Sequence, residues 1–332
     1  HNVEMKAFER DYAIGSAAAS QVEYEVEPAT FEGIVRADGR VATRNYIGIV
    51  STVNCSASVS RFIAEAFSGD TLAEFPNIDG IAPICHGMGC ASSGSDEGFK
   101  ILLNTIDGYV RHPNFAGVLI IGLGCEVLQI DTLLKRRHLT ESSNLQTMTI
   151  QETGGTQKTV REGIRRIQAM LPQANTVERR PVPASHLILG LQCGGSDGYS
   201  GITANPSLGA AVDLLVRHGG TAVLGETPEI YGAEHLLTRR AASREVGEKL
   251  IERIRWWENY TTSHKAEMDN NPSPGNKAGG LTTILEKSLG AAAKGGTTNL
   301  VEVYRFAQPV GDRGLVFMDT PGYDPVSLTG MV

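Results

Sequence analysis

Four of the five cysteines in this chain stand at or just past the carboxyl end of a short apolar run. Cys55 follows IVSTVN, Cys85 ends IAPI, Cys125 follows IIGLG and Cys193 follows LILGLQ. Free cysteine often packs as a small hydrophobe, yet four thiols in equivalent places suggest that at least one lines a site. The run ICHGMGC adds His86 between Cys85 and Cys90. Thiolate and imidazole together suit iron or zinc. No CxxC pair occurs and the spacings match no structural zinc module, which leaves an open site with ligands from several strand ends.

After Cys193 comes GGSDGYSG, a loop that is half glycine. Gly194, Gly195, Gly198 and Gly201 would let backbone N–H groups turn towards an anion. Ser196, Asp197, Tyr199 and Ser200 supply polar handles. A plain strand-to-helix turn needs one or two glycines, so four favour an anion-binding loop. In GETPEIYGAEHLL, Glu226 ends a strand and Glu229, Glu234 and His235 follow; solvated helix charge is the commoner reading of the last three. EMDNNPSPGNKAGGLTTILEKS is a long polar stretch in which Asp269, Asn270 and Asn271 offer oxygens and Lys277 could meet a substrate carboxylate.

These residues need elements to position them. YIGIVSTV, GIAPI, AGVLIIGL and LQTMTI read as buried strands. QKTVREGIRRIQAML reads as a helix with Val160, Ile164, Ile167 and Leu171 on one face. Alternation of strands and helices predicts an α/β fold with mainly parallel sheets covered by helices, in two Rossmann-like or flavodoxin-like lobes. The polar, two-proline stretch 173–185 is expected to link a first domain, 31–172, to a second, 186–332. In the second, HLILGLQ, TAVLGE and LVFMD are strands. A helix is expected from Asn205 as N-cap with Pro206 at its first position to Gly219, another from Thr227-Pro228, and the longest from about Ser243 to His264.

With 332 residues, two domains are the natural expectation. A net charge of −7 without a basic stripe argues against nucleic-acid or anionic-membrane partners. No apolar run nears the ~20 residues that span a bilayer. An odd set of cysteines without scaffold spacing favours a reducing cytoplasm. IGLGCEV lacks the third glycine of a dinucleotide fingerprint and no GxxxxGK[ST] occurs, so no nucleotide cofactor is expected.

FEGIVRADGRVATRNYIGIVSTVNCSASV, PNIDGIAPICHGMGC, RHPNFAGVLIIGLGCE, IQETGGT, LQCGGSDGYSGITANPSLG, GETPEIYGAEHLLTRRA, MDNNPSPGNKAGGLTTILEKSLGA and FMDTPGYDPVS together resemble the altronate/galactarate dehydratase family, its altronate branch most. The resemblance runs along the whole chain. It implies removal of water from a sugar acid to give a 2-keto-3-deoxy acid, with a divalent metal, iron before manganese or magnesium; a related branch eliminates sulfite from sulfolactate. It further implies a small amino-terminal β-rich domain or subunit, whose tail and connector residues 1–30 resemble, a carboxyl-terminal continuation, and a homo-oligomer. Cys85 stands where the family pattern has threonine before the histidine.

Under that resemblance His86 is expected as metal ligand or general base and Glu152, in QETGGT, as an acid or base. Cys55, Cys125, Cys193 and Glu226 are further metal-ligand candidates. The substrate is assigned to Gly194, Gly195, Ser196, Asp197, Gly198 and Asn271, with Lys277 on its carboxylate.

Overall fold

A computed structural model describes residues 29–331. The expected tail of an amino-terminal domain therefore falls almost wholly outside the described residues. The chain divides into two compact units, 31–182 and 183–332, residues 1–30 being grouped with the second.

The first unit begins with β1 (Thr30–Val35), β2 (Val41–Ala42) and β3 (Tyr46–Ser51). Then follow α1 (Asn54–Glu65), β4 (Gly80–Ile84), α2 (Glu97–Arg111), β5 (Phe115–Gly122), α3 (Ile130–Arg137), β6 (Leu145–Thr149) and α4 (Thr156–Ala174). β4, β3, β5 and β6 form one sheet in that order, every neighbouring pair parallel. Both faces are buried, which is why its strands read as nearly continuous apolar runs. Ile47, Ile49, Leu119 and Ile121 pack with Val59 and Ile63 of α1 and Ile167, Met170 and Leu171 of α4. Val50, Val118 and Ile120 pack on the other side with Phe99, Leu103 and Ile106 of α2 and Leu133 of α3. Each fully buried side chain of this size contributes roughly 1.5–3 kcal/mol.

The stretch expected as a linker is largely ordered structure. Its start completes α4, and β7 (Arg180–Pro183) joins β1 and β2 in a small sheet of order β2-β1-β7. An edge strand tolerates the two prolines, because an edge residue need not donate to a neighbour. The boundary is thus a single step in the chain between residues 182 and 183.

The second unit contains β8 (Ile188–Leu191), α5 (Ala204–Arg217), β9 (Thr221–Leu224), α6 (Arg244–Ser263), α7 (Ile284–Ala292), β10 (Leu300–Tyr304), β11 (Gly314–Met318) and α8 (Asp324–Met331). Its sheet has the order β10-β11-β9-β8, again all parallel. Leu191, Ala222, Leu224, Leu315 and Phe317 pack with Val212 of α5 and Val246, Leu250 and Ile254 of α6. Ser243 caps α6 by accepting the Val246 N–H, as its sequence suggests. α5 starts two residues earlier than expected, with Thr203 as N-cap; the Asn205 side chain instead donates to the Gly290 carbonyl (3.0 Å). Among the described residues, no helix is long and apolar enough to cross a membrane.

Candidate functional site

In open parallel sheets ligands settle beyond the carboxyl ends of the strands, above all where the chain changes direction across the sheet. In the second unit Glu226 stands beyond such a strand end, two residues past β9, almost completely buried and at φ 62°. A non-glycine residue in the left-handed region is strained and needs its surroundings to hold it. The holding bonds are its N–H to Thr320 Oγ1 (2.7 Å) and the Glu229 N–H to its carbonyl (2.7 Å). Next to it, the Thr227 hydroxyl donates to Asp319, which also accepts from Trp257 Nε1, both at 2.7 Å.

The Glu226 carboxylate accepts the Cys193 N–H on Oε2 (2.7 Å), and Lys294 Nζ lies 3.7 Å from the same oxygen. Oε1 is buried with no hydrogen-bond partner. Burial drives the carboxyl up and Lys294 only partly opposes it, so its pKa stands at about 7. Burial also pushes the Cys193 thiol up; its Sγ lies 3.2 Å from Ser196 Oγ.

A second buried pair lies close by. Lys287 Nζ donates to Glu229 Oε1 (2.7 Å) and to Asn271 Oδ1 (3.1 Å), while Asn271 Nδ2 donates to that same Glu229 oxygen (3.0 Å). The three side chains close a triangle. Lys287 also lines a cavity of about 420 Å3, walled by Ser196, Asp197, Ser200 and Asn205 on one side and the 281–290 stretch on the other.

The glycines of the loop serve a purpose different from the expected one. None of Gly194, Gly195, Gly198 and Gly201 is left-handed, so they do not build a nest of outward N–H groups. Gly198 and Gly201 instead allow backbone to meet backbone: a Cβ at 198 would lie 3.4 Å from Gly280, and one at 201 would lie 3.1 Å from Gly290 Cα. Gly194 and Gly195 face open space. Asp197 folds its carboxylate into the loop, accepting from Tyr199 N, Ser200 N and Ser200 Oγ, and the Ser200 hydroxyl first among these holds its pKa low. Lys277 is exposed beside this loop's neighbour Asn276, whose Nδ2 donates to the Ser196 carbonyl (2.8 Å).

In the first unit the change of direction lies between β3 and β5. Glu126 is buried there and takes the Thr52 hydroxyl (2.7 Å), the Leu123 N–H (3.0 Å) and the Gly124 N–H (2.7 Å). Burial alone would raise its pKa, but these donors together bring it below the ordinary value. His86 follows β4. Its Nδ1 accepts the Met88 N–H (3.1 Å), and Nε2 is buried without a partner. Burial lowers its pKa, so the ring is neutral at pH 7. Cys85 accepts from Ser51 Oγ at 3.6 Å, Cys55 is exposed in the first turn of α1, and Cys125 is exposed. Glu152 is exposed and spends a carboxylate oxygen on the Thr149 hydroxyl (2.7 Å) in a helix-capping turn.

The five expected metal ligands thus divide between the units: Cys55, His86 and Cys125 in one, Cys193 and Glu226 in the other. Among the described residues no three His, Cys, Asp or Glu side chains converge as a metal-binding group. Glu226 Oε1 and Glu229 Oε2, both buried and unpartnered, are two oxygen donors of the kind a hard cation takes. Two donors do not make the expected set, so the chain's own residues in either unit do not fit a complete metal centre.

Sequence reasoning passed over Glu126, Lys287 and Lys294 and read Glu229 as solvated. A signal existed for Lys287, which shares the buried face of α7 with Ile284, Ser288 and Ala291 at helical spacing. A lysine in that stripe needs a partner.

Residues 33–175 match the model of the second domain of D-galactarate dehydratase/altronate hydrolase, and 184–332 match the carboxyl-terminal domain of D-galactarate/altronate dehydratase. The chain is 40% identical over 313 residues to galactarate dehydratase (L-threo-forming) of Escherichia coli strain K12, covering 92% of this chain and 60% of that protein. It is 36% identical over 310 residues to altronate dehydratase of Bacillus subtilis strain 168, covering 93% and 61%. It is 32% identical over 301 residues to (2R)-sulfolactate sulfo-lyase subunit beta of Chromohalobacter salexigens, covering 89% and 72%. The chain spans about three fifths of the length of the two dehydratases.

Proposed function

Because the chain belongs to the D-galactarate/altronate dehydratase family, we propose that its protein is a hydro-lyase taking water from a sugar acid such as altronate to give a 2-keto-3-deoxy acid. The observation that carries this reading is Glu226: a buried carboxyl just past the end of a central strand, its pKa about 7, one oxygen unpaired and an ammonium 3.7 Å from the other. A base poised near neutrality is what abstraction of a proton beside a carboxylate requires.

In this proposal the substrate enters the cavity beside Ser196 and Lys287. Glu226 Oε1 takes the proton from C2, and the C–H electron pair moves into the C1–C2 bond, with charge spreading onto the carboxylate. Lys294 balances the Glu226 charge before transfer and, with Lys287, favours the electron-rich intermediate afterwards. The C3–O bond then breaks, the hydroxyl leaves as water on receiving a proton from Glu226, and the enol tautomerises to the ketone. A divalent metal, iron before manganese or magnesium, is part of the proposal on the family resemblance alone. The donors of neither unit complete its site, and no step above passes through it. His86, the first unit's strand-end histidine, and Glu152 stand as further proposed participants, each to be tested by mutation. A homo-oligomer, a further domain or subunit, and a cytoplasmic location complete the proposal; one relative is itself named as a subunit.

The 32% match to a sulfo-lyase subunit supports a second reading, in which sulfite leaves in place of water. Proton NMR in D2O on the full-length protein, with altronate, galactarate and sulfolactate and each of the three metals, decides. A 2-keto-3-deoxy product deuterated at C3 supports the dehydratase. Sulfite release supports the second reading, and tight acid binding without any product would reduce the protein to a binding module.

A further inference from the structure

The cavity beside Ser196 has three ionisable groups in its wall: Asp197, Glu286 and Lys287. Each of the two acids gives one carboxylate oxygen to its own turn. Asp197 Oδ1 takes three donors from Tyr199 and Ser200, and Glu286 Oε2 takes the Thr282 N–H (2.8 Å) and hydroxyl (2.6 Å). Lys287 differs: its side chain is only 5% exposed, yet it reaches the cavity.

An ammonium has three N–H donors. Two are fixed, on Glu229 Oε1 and Asn271 Oδ1, and the Asn271–Glu229 bond holds those two acceptors in register. The side chain lies on the buried face of α7, and the third N–H has no hydrogen-bond acceptor among the described residues. A cation fixed in this way, desolvated before any ligand arrives, binds an anionic group without a fresh ordering cost.

We propose that Lys287 is the specificity-determining residue of this cavity, receiving the substrate's carboxylate through its third N–H, with Glu229 and Asn271 as positioning residues. This rests on the dehydratase reading and deepens it. Ser196, in the cavity wall, has its hydroxyl 3.2 Å from Cys193 Sγ, and the Cys193 N–H is bonded to Glu226. In this proposal a carboxylate held at Lys287 has its neighbouring carbon on the Glu226 side. The ligand class is an aldonic or aldaric acid in its ionised form, not a neutral sugar.

The test compares an acid with its uncharged amide. Calorimetry on the full-length protein measures binding of a 3-deoxy aldonate, which has no hydroxyl to lose, and of the corresponding aldonamide. Kinetics on the acid run in parallel. In the unaltered protein the acid should bind roughly 10- to 100-fold more tightly than the amide, the range expected of one charge-assisted hydrogen bond. In Lys287→Met that preference should fall to about threefold or less, with amide affinity unchanged within a similar factor. Because Lys287→Met strands the buried Glu229, the double variant Lys287→Met/Glu229→Gln, which removes both charges together, carries the same measurement should the single variant fail to fold. Retention of the full preference by a folded variant overturns the proposal, as does its loss in Lys277→Met while Lys287→Met keeps it. If the unaltered protein turns over no acid yet shows the Lys287-dependent preference, the dehydratase reading falls and the carboxylate site stands.

Discussion

The main-chain N–H of Cys193 lies 2.7 Å from Glu226 Oε2, joining the end of β8 to the end of β9 across a break of 33 residues. The bond uses one carboxylate oxygen and leaves the other free inside the protein. A thiol-bearing residue thus serves the site through its backbone, and what it orients is the carboxylate proposed above as the base.

Glu226→Gln keeps the shape of the side chain and removes its ability to take a proton. Turnover of whichever acid is the substrate should fall by about 10²- to 10⁴-fold, the usual contribution of a general base. In the unaltered protein, kcat/KM should rise with pH through about 7, where the carboxyl ionises. The pH–rate profile of both proteins checks this.

The same group links stability to pH. Its folded pKa, about 7, lies above the ordinary 4.5, so between those values the folded state holds the proton more tightly than the unfolded chain. Its contribution to stability should be greatest below about pH 4.5, fall as pH rises to about 7 and then level off, by on the order of 3 kcal/mol. Urea unfolding at pH 5 and pH 8 should show the slope, and Glu226→Gln should reduce it.

Lys294→Met removes the cation that partly offsets the burial of Glu226. The carboxyl should then ionise at higher pH, moving the midpoint of the activity profile upwards. A midpoint that stays put would mean that Lys294 has no electrical hold on the base.

Gly209 of α5 touches the turn that carries Lys294: a Cβ there would lie 2.3 Å from the Ala293 carbonyl oxygen and 3.0 Å from Gly296 N. Both neighbours are backbone and cannot step aside. Gly209→Ala should destabilise the second unit by about 1–3 kcal/mol, read as a lower unfolding midpoint.

His86 has a buried Nε2 that contributes no hydrogen bond to the fold. His86→Ala should therefore cost only about 1 kcal/mol of stability, for the Met88 N–H bond lost at Nδ1, while lowering turnover at least tenfold, the pattern of a group kept for chemistry. Thermal unfolding and the NMR assay, run on the same sample, separate the two effects.

Much of the frame was legible because the inner strands of both parallel sheets are buried on both faces. GIAPI corresponds to β4 residue for residue, and the Ser243 cap opens α6 where its hydroxyl marks it. The site was less legible. Glu226 stood out by its place after a strand, but Glu229, three residues on, looked like ordinary surface charge. Its partner Lys287 is 58 residues away, and a buried ion pair cannot be read from either half alone. Glycine-rich composition identified the 194–201 loop without saying whether its glycines bend the chain or let it be approached. At 198 and 201 they let it be approached.

That close approach limits how the protein can change. Where Gly198 meets Gly280 and Gly201 meets Gly290, the seam is made of main chain, and at the Gly201–Gly290 contact, with a Cβ only 3.0–3.1 Å from the facing Cα, a larger residue prises it open. Mutation has little to work with there. A lineage drifting from one acid to another would keep this seam and rewrite the handful of side chains around it, so changes of preference among relatives should map to the α7 wall and leave the loop unaltered.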